Sequence, residues 1–80
     1  MANKVNQQQP VDEVTVEDMR NMLVNRWSSE RISGLSRAGN LDQVMASTAK
    51  NMANLANKLM VEEGRNRLEA EHLAWQAFGM

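Results

Sequence analysis

The stretch Asn40–Glu62, NLDQVMASTAKNMANLANKLMVE, constrains this chain more than any other. Leu41, Met45, Thr48, Met52, Leu55 and Leu59 recur at alternating spacings of four and three, the pattern of a helix with an apolar seam. Ala46, Ala49, Ala53 and Ala56 make a second row, displaced by roughly 100° around the axis at 3.6 residues per turn. Ser47, Lys50, Asn51, Asn54, Asn57 and Lys58 occupy the remaining side, which is expected to be wet. Leucine and methionine on one face suit interdigitation, and methyl-only side chains on the next let another backbone approach closely. A helix apolar over so wide an arc packs against two partners. The core of an ordinary helical bundle is the favoured setting. The alternative is that one face serves an external or symmetry-related partner.

Local signals place the ends of this helix. Ala38-Gly39 reads as the stop of an earlier helix, and Asn40 as an N-cap with Gln43 placed to reach back. Gly64 is expected to close it in left-handed conformation, so that a third helix at about 66–78 folds back; one unbroken rod is the alternative. Leu68 and Trp75 would lie opposite the Leu/Met seam of such a rod, which favours the break.

An earlier helix is predicted over about 15–37. Thr15 and Asp18 form a capping-box pair, Glu17 favours the first turn, and Val14 can staple on from outside. Val16, Met19, Leu23 and Trp27 make its stripe, with Met22 beside it. Ile32 and Leu35 fall roughly 100° off that stripe, so a bend, a tightening or an end is expected between Ser28 and Ser36. Residues 1–13, with the Gln7-Gln8-Gln9 run and the sole proline at Pro10, read as an extended polar segment. The reading is therefore an all-α fold, a small helical hairpin or three-helix bundle forming one domain over 14–80.

Composition narrows the function classes. With no cysteine there is neither a disulfide framework nor a thiolate metal site, and an intracellular, cytoplasmic setting fits. No apolar run approaches the ~20 residues that span a bilayer, and MANKVNQQQP lacks the core of a signal peptide. His72 is the only histidine; Glu69 lies one turn away but Glu71 is its neighbour and points elsewhere, so a packing or solvated imidazole is favoured over a ligand. No hydrolase elbow, cysteine nucleophile, zinc-protease helix or phosphate loop is present. No enzyme, cofactor, metal or small-molecule substrate is expected.

What remains is interaction. Trp27 lies in line with core residues, which favours burial, yet tryptophan and arginine are also the residues that anchor interfaces, and Arg26 and Arg31 lie close by. Leu73, Trp75 and Phe78 form an apolar patch at the other end of the chain. The expected function is a non-catalytic protein–protein interaction module acting as an assembly, adaptor or inhibitor protein. It would dock on a protein partner or on itself, through Arg26, Trp27, Arg31, Leu73, Trp75 and Phe78. A dimeric nucleic-acid-binding regulator is the alternative. It is disfavoured because the net charge is −1, and because the helix after Asn40 would present Asp42, Gln43 and Ser47 rather than cations.

Overall fold

A computed structural model describes residues 13–80, and the expected polar segment falls, apart from Glu13, outside them. Four α-helices follow one another: α1 (Val16–Arg26), α2 (Ser29–Arg37), α3 (Leu41–Glu63) and α4 (Arg67–Ala74); a π turn, Trp75–Gly79, ends the order. No strand occurs among the described residues, so the all-α expectation holds.

The predicted first helix is two helices. Trp27 (φ −69°, ψ 143°) and Ser28 (φ −67°, ψ 155°) are both extended, at the start of the expected window rather than inside it. Ser28 causes the break locally: its hydroxyl accepts from the Arg31 N–H at 3.1 Å, satisfying an orphan donor of α2. The turn re-aims α2, so Ile32 and Leu35 pack against the core although they lie off the α1 stripe.

At the start of α1 the capping box is complete. Asp18 N–H donates to Thr15 Oγ1 at 3.0 Å, and Thr15 N–H donates to the Asp18 carboxylate at 3.2 Å. Val14 is buried as the staple, whereas Val16 is exposed and leaves the stripe to Met19, Leu23 and Trp27. Asn40 precedes α3 but makes no side-chain cap, because its backbone is already helical (φ −110°, ψ −1°) and cannot aim the amide back along the first turn. Gly64 (φ 67°) stops α3 in the left-handed region, and Arg65 N–H returns to Leu59 O. Asn66 then caps α4 by accepting from Glu69 N–H at 2.9 Å.

The long helix is the spine. α1 and α4 both pack on α3, and α2 and the π turn complete its cover. Met45, Ala49, Met52, Ala53 and Ala56 are buried on α3, facing Met19 and Leu23 of α1 and Ala70 and Ala74 of α4 within one apolar cluster. Ala46 departs from the expected row and is exposed. Alanines on α3 and α4 admit close backbone approach, while the methionines fill the irregular space between helices.

Asn57 corrects the expectation of a wet side. It is half-buried and clamps the entry to α1: Val14 N–H donates to Asn57 Oδ1 and Asn57 Nδ2 donates to Val14 O, each at 2.8 Å.

Candidate functional site

The ends of α1 and of the chain meet. Trp27 closes α1, and its burial follows from its position in line with Met19 and Leu23. A buried indole N–H needs an acceptor, and Trp27 Nε1 donates to the Gly79 carbonyl at 2.7 Å, across 52 positions of sequence. The π turn brings that carbonyl into place. One extra residue per turn widens the last coil, with Met80 N–H returning to Trp75 O at 3.1 Å. Gly79 lies against the Trp75 indole, where a Cβ would stand 2.8 Å from Cζ3 and closer still to Cε3. Only glycine fits there without displacing the ring.

Two arginines cover the two indoles. The Arg31 guanidinium lies 4.1 Å from the Trp27 ring centroid, and Arg31 Nη1 also approaches Gly79 O at 3.4 Å. The Arg26 guanidinium lies 5.2 Å from the Trp75 centroid. Each contact sets a cation over a ring face, and the guanidinium N–H groups not donated elsewhere can grip an anion. Neither arginine has a carboxylate partner among the described residues.

The other arginines differ, save Arg37. Arg67 bridges Asp18 of α1 at 2.8 Å and Glu71 at 2.9 Å; Arg65 holds Glu69 at 2.8 Å and Glu63 at 3.4 Å; Arg20 reaches Asp42 at 3.4 Å. Hydrogen bonding from Thr15, hydroxyl first and backbone N–H second, holds Asp18 below its ordinary 3.8, and Arg67 adds to the effect.

The structure thus joins four of the residues singled out from sequence, Arg26, Trp27, Arg31 and Trp75, at one end of the molecule. Trp27 is buried there as a structural anchor, at 5% exposure, while Trp75 is half-buried beneath Arg26. Phe78 stands on the same turn at 45% exposure. Leu73 is half-buried on α4, and Leu68 is exposed. Neither Gly79 nor Asn57 is legible in the sequence as a site or clamp residue; a lone glycine near an aromatic and an asparagine beside an alanine row carry no distinctive signal without the partner helix.

Elsewhere there is little chemistry. No group of three metal-ligating side chains occurs among the described residues, and none of the described helices is long and apolar enough to cross a membrane. His72 is exposed. A shallow depression at the α2–α3 turn is lined by Ser36, Gly39, Leu41 and Asp42, and its single carboxylate already faces Arg20. No protein-family model, curated protein or solved structure matches the chain.

Proposed function

We propose that the protein is a non-catalytic helical interaction module that docks through its Arg26–Trp75–Phe78 end. One observation carries this reading: two arginines are ordered on indole faces with no carboxylate among the described residues to neutralise them, beside an exposed phenylalanine. Ordering a long cationic side chain costs rotamer entropy, and stacking meets that cost before any partner arrives. Aromatic anchors framed by arginine are the composition of interface hot spots. A nucleic-acid reading is less well supported, since the start of α3 offers Asp42, Gln43 and Ser47, the first already paired with Arg20.

Molecular mass in solution, measured alone and with host extract, tests the proposal. Truncation after Arg67 would remove the buried Ala70 and Ala74 and so confuse folding with docking. The surface variant Arg26→Glu/Phe78→Ser is cleaner. The wild type is expected to gain mass, and the variant to stay monomeric with an unchanged far-ultraviolet spectrum. A wild type that gains none, or a folded variant that gains as much, overturns the reading.

A further inference from the structure

We infer that the occupant of the arginine end is the opposite end of a second copy of this chain; the inference rests on the docking reading above. The two ends are complementary. At the arginine end Arg26, Arg31 and Arg37 have no carboxylate partner among the described residues, next to half-buried Trp75 and exposed Phe78. At the α3–α4 turn, with the start of α1 beside it, Glu13, Glu17 and Glu62 have no cationic partner among the described residues. That acidic end also carries the two most exposed large apolar side chains among the described residues, Val61 at 83% and Leu68 at 79%.

Among the described charges without an ion-pair partner, each end has one of the opposite sign, Glu30 beside the arginines and Lys58 near the acids; Asp42 at the basic end is paired with Arg20, and Arg65 and Arg67 at the acidic end are paired with carboxylates. The imbalance at each end survives both. Charge of opposite sign at opposite ends favours a contact between unlike patches, and such a contact propagates from copy to copy or closes into a ring. Apolar side chains at both ends supply the area that exposed ion pairs alone lack. The valine and leucine of one copy would meet the tryptophan and phenylalanine of the next, with the free glutamates against the stacked guanidinium edges.

Two charge-reversed proteins test this. Arg26→Glu/Arg37→Glu alters the basic end and spares Arg31, which also holds Gly79. Glu17→Lys/Glu62→Lys alters the acidic end. Far-ultraviolet spectra first confirm that both fold. The wild type is expected to gain mass with concentration by sedimentation at about 50 mM salt and to lose that gain near 500 mM, where screening is severe. Each variant alone is expected to be monomeric, and an equimolar mixture to associate again, because reversed ends match each other. A wild type monomeric at low salt, or a mixture that stays monomeric, overturns self-docking. The docking reading is judged separately, by whether Arg26→Glu/Phe78→Ser loses a partner that the wild type gains from extract.

Discussion

Replacing Gly79 by alanine probes the joint between the two tryptophans. The new methyl would overlap the Trp75 six-membered ring, 2.8 Å from Cζ3 and nearer to Cε3, so the indole or the π turn must move. Overpacking of this kind costs about 1–3 kcal/mol, toward the low end if the half-buried ring can swing outward. Movement of the turn also withdraws the Gly79 carbonyl from Trp27 Nε1, and an unsatisfied buried N–H costs about 1–3 kcal/mol more. Together these amount to about 2–6 kcal/mol, a large share of the ~4–12 kcal/mol expected for a chain of this length. At roughly 4–8 °C per kcal/mol for a domain this small, the melting temperature should fall by at least about 8 °C. Thermal melts by circular dichroism, with tryptophan emission as a second probe, measure it. Gly34→Ala is the control: nothing lies within 4 Å of its Cβ, and alanine inside α2 should stabilise by about 0.5–1 kcal/mol. Trp27→Phe removes the same hydrogen bond, so its loss and that of Gly79→Ala should combine to less than their sum. A Gly79→Ala protein melting within about 3 °C of wild type would refute the close-packed joint.

Three further outcomes follow from the frame around that joint. Gly64→Ala meets no atom within 4 Å but must hold a left-handed backbone, so urea unfolding should show a loss of about 1–2 kcal/mol with an unchanged m-value. Asn57→Leu deletes both hydrogen bonds to Val14; hydrogen exchange should speed up at Val14 while the middle of α3 stays protected, and uniform acceleration would count against a local clamp. Asp18 has a folded pKa below its ordinary 3.8, so it contributes stability above that value and loses the contribution as pH falls through the folded pKa. Asp18→Asn keeps an oxygen for Thr15 N–H but removes the charge. Its stability should therefore be lower near neutrality and vary less with pH below about 4, and an acid limb as steep as wild type would sink that account.

Much of the helix framework could be read without a structure, because its signals lie within a few residues of what they control. The Thr15–Asp18 box, the stop at Gly64 and the two-faced pattern of Leu41–Glu63 each act over one or two turns, and each is where the pattern placed it. Where local signals misled, the missing information was the neighbour. Asn40 has the residue type of a cap, but the short α2–α3 connection leaves its backbone helical. Val16 has the spacing of a core residue, yet no helix covers it.

The residues expected to carry interaction show the same division. Arg26 and Arg31 near Trp27, and Trp75 with Phe78, were visible as two separate groups of residue types that favour interfaces. Nothing in their spacing said that they would share one end of the molecule. That depends on α1 and α4 lying on the same spine, so that Trp27 reaches Gly79 and Arg26 reaches Trp75. Capping and amphipathic period are short-range and are written in consecutive residues. That Arg26 lies on the Trp75 indole, that Asn57 clamps Val14 and that Arg67 crosses to Asp18 are set only when helices far apart in sequence pack, since each of these contacts joins groups more than forty positions apart, as does the bond from Trp27 to Gly79.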